Sequence, residues 1–225
     1  MTARLPFLAY PGSMTTPAQL RIAEAHLRRV DPVMRSVIAE IGPCRLDRYS
    51  RRQALPALFQ TIIGQQISVQ AARSIHRRFR ALYGGRDPSA RRLLSTSDED
   101  LRGAGLSRPK VAYLRDLAGH VSSRRLSLSA LEHLPDDEVN EALVQVKGIG
   151  PWTAEVFMIF RLGRLDMLPV DDIGLLDGAK VLYGLPLRPQ ESELREIAEP
   201  WRPYRSVGCW FLWQGRRRAR GIELR

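Results

Sequence analysis

Two features of this chain have residue types and a spacing that could do chemistry: a carboxylate pair and a glycine turn. In LPVDDIG, Asp171 and Asp172 stand where a helix should begin, and Asp172 follows the Gly150 of KGIGPWTA by twenty-two residues. An aspartate at a helix start is ordinarily an N-cap, in favourable contact with the positive end of the helix dipole. A carboxylate held in a site can instead stabilise developing positive charge. The glycine turn has chemistry of its own. Helix termini leave N–H groups unpaired, and Gly148 and Gly150 let the backbone take positive φ and let a ligand approach closely. Pro151 suits the first turn of the next helix, where its missing N–H would be unpaired anyway, and Thr153 adds a hydroxyl at the same terminus. Such a turn can hold phosphates without reading bases. It can equally be a glycine-capped junction between two helices.

The elements that must position these groups read as helices. Leu143, Val144, Val146 and Ile149 can anchor one side of the turn, and Ala154, Phe157, Met158 and Phe160 the other. Elsewhere start signals recur at short intervals: Thr16 and Asp31 before prolines, Ser68, Ser97 with three acids after it, and Ser107 before Pro109. No stretch alternates apolar and polar residues at period two, and no NG or DG turn joins β-branched runs. These signals predict an all-α fold of about ten short helices, with GRLDMLPV, residues 163–170, as the candidate boundary between two lobes.

Composition narrows the partner. The 225 residues carry 35 Lys and Arg against 24 Asp and Glu, a net charge of +11. A chain this basic meets a polyanion more often than not, usually nucleic acid. Lysine occurs only at positions 110, 147 and 180, so arginine-biased coding offers a second explanation of the charge. Cys44 and Cys209 are isolated and four histidines are scattered, which argues against disulfides and against a metal site. No apolar run is long enough for a membrane helix, and MTARLPFLAYPGSM is a poor signal peptide. A cytoplasmic monomer that makes no membrane contact is expected.

The pattern xxGIGxxTA, with a leucine five residues before the first glycine, resembles the helix-hairpin-helix motif of many DNA-binding proteins, enzymes and non-enzymes alike. With a Gly/Pro-rich loop and an aspartate following, the chain resembles the helix-hairpin-helix DNA glycosylase superfamily, and within it the 3-methyladenine DNA glycosylase II branch. FQTIIGQQISVQAA (59–72) is similar to that family's wedge-loop segment and EPWRPYRSVGCWFLW (199–213) to its C-terminal helix.

The resemblance implies two helical lobes with the active-site cleft between them: lobe A about 55–164 with the wedge loop and hairpin, lobe B about 1–54 plus 165–225, and no N-terminal β-rich domain. It assigns catalysis to Asp172 and leaves Asp171 as the helix cap. Trp152, Trp213 and Val156 fall at base-pocket positions, with valine where relatives carry a stacking tyrosine. Gln66 falls at the residue that fills the gap left by a flipped base, where a well-known relative has leucine. Gly148, Gly150, Thr153 and Arg205 would contact double-stranded DNA, joined by the basic run Arg216, Arg217, Arg218 and Arg220; Trp201 and Trp210 would be core or lobe-interface residues. Trp152 stands where strand-cutting members carry a nucleophilic lysine, so the implied reaction is hydrolysis of the glycosidic bond of alkylated purines without lyase activity. Two cysteines cannot supply the four-cysteine cluster of the family's iron–sulfur branch. No cofactor is implied beyond a monovalent cation that family members can hold through hairpin carbonyls. Two other readings stay open from the residues: a non-catalytic DNA-binding module, and an oxidised-base glycosylase with lyase activity through Lys147.

Overall fold

The computed structural model describes residues 15–50 and 53–221; the stretch read above as a poor signal peptide lies outside them. Among the described residues the chain is all-α: thirteen α-helices, short 3-10 turns, one π turn and no strand. Local start signals set most helix beginnings. Thr16 makes a reciprocal capping box with Gln19 at the start of α1 (Pro17–Val30), and Asp31 accepts the Val33 and Met34 N–H groups at the start of α2 (Pro32–Ile41). After the single turn α3 (Asp47–Ser50) and the apolar α4 (Ala54–Gly64), serines cap four helices in succession: Ser68, Ser89, Ser97 and Ser107 begin α5 (Val69–Ala81), α6 (Ala90–Leu94), α7 (Asp98–Gly103) and α8 (Arg108–Ser122). Then follow α9 (Asp136–Val144), α10 (Pro151–Phe157), α11 (Ile173–Leu182), α12 (Glu191–Ala198) and α13 (Arg205–Ala219).

Two cores organise these helices. Phe59, Phe79, Leu114, Leu143 and Phe157 centre the first, built from α4 to α10; Leu27, Met34, Ile38, Trp201 and Phe211 centre the second, built from α1, α2 and α11 to α13. The fully buried residues change from one core to the other between Met158 and Ile159, inside the π turn Met158–Leu162, while Leu162 and Met167 still pack against the first, so the two cores overlap into the 163–170 loop where sequence signals put the boundary. A helical segment can serve both cores because its successive side chains point in different directions. Arg164 latches the junction: its guanidinium lies 3.2 Å from Asp136 and donates to the Leu134 carbonyl at 2.6 Å.

The second core sets where α11 and α13 meet. Trp201 and Tyr183 both donate to Asp31 Oδ2, at 2.8 and 2.5 Å, so one buried carboxylate joins α2, α11 and the turn before α13. Gly178 lies directly against the Leu212 backbone, where any Cβ would collide. The two helices therefore cross closely enough to bring the start of α11 beside the middle of α13.

Candidate active site

That crossing places Asp172. It is the N-cap of α11, its Oδ1 accepting the Leu175 N–H at 2.8 Å. Two indoles complete its coordination: Trp213 Nε1 donates to Oδ1 at 3.1 Å, and Trp152 Nε1 donates to Oδ2 at 2.7 Å. The carboxylate is 8% exposed and is oriented by three donors from three helices. Gly174 is required at its position, since a Cβ there would crowd both Asp172 Oδ1 and the Trp213 ring. Asp171 does not cap the helix as expected; it is exposed, one residue outside the position from which a side chain can reach the first free N–H groups.

The tryptophans also divide two spaces. On one side is a cavity of about 440 Å³, lined by Trp152, Val156, Trp213, Tyr49, Phe160 and Gln214 among others. On the other is a recess of about 530 Å³ that contains Asp171 and Asp172. Phe160 packs partly buried against the second core, as its sequence position predicts, and it also lines the cavity, stacked on Trp213 with centroids 5.3 Å apart and 30° between planes. Tyr49 meets Phe160 edge-on at 5.2 Å. Gln214 is buried at this wall, and its Oε1 has no partner among the described residues.

The turn after α4 closes the cavity's edge. Gln66 sits at its tip, exposed and in the left-handed region at φ 57°, a conformation rare for a residue with a side chain. Lys110 holds the turn from beneath, its Nζ donating to the carbonyls of Ile63 at 2.7 Å and Gln65 at 2.9 Å, and its partial burial lowers the lysine's pKa. Gln65 ties the turn to the glycine hairpin: its side-chain amide donates to the Gly148 carbonyl at 2.8 Å and to Thr153 Oγ1 at 3.2 Å. Thr153 is consequently buried, its hydroxyl engaged inside the protein and not presented outward as expected.

The two hairpin glycines differ. Gly148 takes φ 81°, and a Cβ there would run into the Tyr113 ring. Gly150, at φ −95°, does not use positive φ, and a Cβ there would meet nothing within 4 Å. Internal packing therefore does not explain glycine at 150, and its outer face is open. Lys147 is exposed, its N–H held by Asp116 at 2.9 Å, and it lines neither the cavity nor the recess.

Arg205 is turned away from the expected DNA contact. Its guanidinium is 14% exposed and grips Asp166, with Nε 2.7 Å from Oδ1 and Nη2 3.0 Å from Oδ2, which fixes the loop before α11 to the start of α13. Of the basic run, Arg218 pairs with Glu40 at 2.8 Å, while Arg216 and Arg220 share Asp177. Trp201 and Trp210 are buried in the second core. Sequence reasoning missed Gln65, Lys110, Tyr49, Phe160 and Gln214. The doubled glutamine of GQQIS and the rarity of lysine were available signals for the first two; the rest carried none.

Residues 59–203 match the HhH-GPD superfamily of base excision DNA repair proteins, and the chain belongs to that superfamily. Among its relatives, it is 31% identical over 204 residues to the Schizosaccharomyces pombe alkylbase DNA glycosidase-like protein mag2, covering 89% of this chain and 96% of that protein. The fold matches S. pombe 3-methyladenine DNA glycosylase Mag1 in complex with abasic DNA, with a TM-score of 0.76, 29% identity and coverage of 86% and 95% of the two chains. It also matches a DNA-3-methyladenine glycosidase from Bacillus halodurans, with a TM-score of 0.74, 37% identity and coverage of 88% and 92%.

Proposed function

We propose that this protein is a monofunctional DNA glycosylase that hydrolyses the N-glycosidic bond of alkylated purines, of the 3-methyladenine and 7-methylguanine type, in double-stranded DNA. The observation that carries this reading is the carboxylate of Asp172 held by the same two indoles that wall a base-sized cavity. A glycosidic bond inside a duplex is inaccessible, so the nucleotide must turn out of the stack, with unstacking of a few kcal/mol eased by damage. With the base between Trp152 and Trp213, the sugar would face Asp172, whose negative charge stabilises the oxocarbenium-like state and orients the water that replaces the base.

The leaving group explains what the site omits. Alkylation at N3 or N7 makes the purine cationic, so it departs as a neutral base with little need of a proton donor. Electron-rich indole faces favour such a cation by about 0.5–2 kcal/mol. Among the described residues no lysine lines the cavity or the recess: Lys147 is exposed elsewhere and Lys110 is committed to two carbonyls. This favours hydrolysis over Schiff-base chemistry. Gln66, displayed at the tip of its turn beside exposed Ile67, would enter the gap left in the stack. Gly150 leaves room for a phosphate at the hairpin.

Incubation with duplexes carrying 3-methyladenine or 7-methylguanine should release free base, with strand breaks only after alkali. Asp172→Asn, which keeps a capping side chain on α11, should abolish release. Base release unaffected by that substitution would overturn the assignment, and breaks without alkali, with a borohydride-trapped adduct, would restore the lyase reading.

A further inference from the structure

A third space opens from the same site. A groove of about 1140 Å³ runs between α5 and α13, lined by Arg73 and Arg77 on one wall and by Arg216, Arg217 and Arg220 on the other. No acidic side chain lines it among the described residues. Arg216 and Arg220 share the single carboxylate Asp177 with Arg188. Arg73 and Arg77, one turn apart on α5, are exposed and have no ion-pair partner among the described residues. Uncompensated guanidiniums in a concave surface concentrate positive potential and match the fork geometry of phosphate oxygens.

The groove's connections indicate which phosphates. Trp213 borders the base cavity, the Asp172 recess and the groove, while Arg216 is shared with the recess and Arg217 and Val69 with the cavity. Trp152, in the turn of the hairpin, holds Asp172 Oδ2, whereas Trp213, which borders the groove, holds Oδ1. A sugar at Asp172 with its base in the cavity would therefore have its own strand leaving toward the hairpin in one direction and toward the groove in the other.

Resting on the glycosylase reading, we infer that the α5–α13 groove binds the backbone phosphates of the damaged strand on the side of the extruded nucleotide opposite the hairpin, with Arg73 and Arg77 as its principal contacts. The hairpin and the groove would then grip one strand on both sides of the flipped nucleotide.

The test uses the full chain and a fluorescent duplex containing a stable abasic-site analogue, with affinity measured against salt. Arg73→Gln/Arg77→Gln should weaken binding roughly tenfold near 0.1 M salt and lower the slope of log K against log salt by about 2, one for each phosphate no longer neutralised. Arg86→Gln/Arg91→Gln removes the same charge at exposed positions outside the groove and should change both far less. Shortening the damaged strand on one side should abolish the Arg73/Arg77 penalty; shortening it on the other side, or shortening the complement, should leave the penalty in place. The inference fails if the penalty is absent, if the control pair shows it equally, or if it survives shortening of the damaged strand on both sides. Failure of the unsubstituted protein to release any alkylated base would sink the glycosylase reading alone, since the binding measurements are read without turnover.

Discussion

Trp152→Phe keeps an aromatic face on the base cavity and removes a single N–H. The structure sets the size of the effect. Oδ1 of Asp172 has two donors, Leu175 N at 2.8 Å and Trp213 Nε1 at 3.1 Å, whereas Trp152 Nε1 at 2.7 Å is the donor to Oδ2. Phenylalanine at 152 would leave Oδ2 of a largely buried carboxylate without a protein partner. A hydrogen bond to a charged group contributes about 1.5–3 kcal/mol. If that orientation is needed at the moment the sugar becomes cationic, the single-turnover rate should fall roughly ten- to hundredfold. Trp213→Phe removes the longer of two bonds to Oδ1 and leaves the backbone donor, so its loss should be roughly two- to tenfold, by the smaller net value of a bond whose acceptor keeps a second partner. Affinity for abasic-site duplex should change little in both variants, since that duplex has no base to stack. The assay is pre-steady-state release of 7-methylguanine with enzyme in excess. Equal effects of the two substitutions, a reversed order, or losses confined to DNA affinity would refute the positioning role of the indoles.

Three further outcomes follow from the geometry. Gly148→Ala should lower thermal stability by about 2 kcal/mol or more, from positive φ and the overlap with Tyr113; Gly150→Ala should melt normally and weaken duplex binding, and equal melting of the two would contradict the contrast drawn between them. Gln65→Leu, which cuts the tie from the turn to Gly148 and Thr153, should slow base release from paired DNA more than from a mismatched site that opens easily; a uniform effect would assign Gln65 to folding alone. Glu155 on α10 is raised from 4.5 to about 7, first by burial and then by the charge of Asp171, with Arg195 opposing. Because the folded state favours the protonated acid, this group's contribution to stability is full below about pH 4.5, falls as pH rises to about 7, and is flat above. The loss is on the order of 3 kcal/mol by linkage. Glu155→Gln should flatten that slope and raise the melting temperature at pH 8 by several degrees; melting curves from pH 4.5 to 8 that run parallel for the two proteins would show the shift to be absent.

Much of the fold was legible because its signals are local. A serine, threonine or aspartate at a helix start satisfies N–H groups two or three residues on, so Thr16, Asp31, Ser68, Ser97 and Ser107 marked their helices without knowledge of the rest of the chain. Asp172 and the glycine hairpin were singled out by residue type and spacing together with the family resemblance they carry, which depend on the chain and not on its folding. Two of the contacts that differ from expectation depend on distant partners. That Arg205 is claimed by Asp166 across 39 positions and that Thr153 turns inward to Gln65 across 88 are decided by helix packing, which no local pattern encodes.

The sequence by itself determined that the chain is helical, that a glycine hairpin precedes a carboxylate, and that a tryptophan follows the second glycine of that turn by two residues. Only the tertiary structure decided that Trp152 and Trp213 converge on Asp172, that the glutamine turn is tied to the hairpin, and that two arginine-bearing helices enclose one groove. The reason is the same in each case: side-chain type and helix start are set within a few residues, whereas a three-donor carboxylate requires α10, α11 and α13 to be brought together by the burial of the second core.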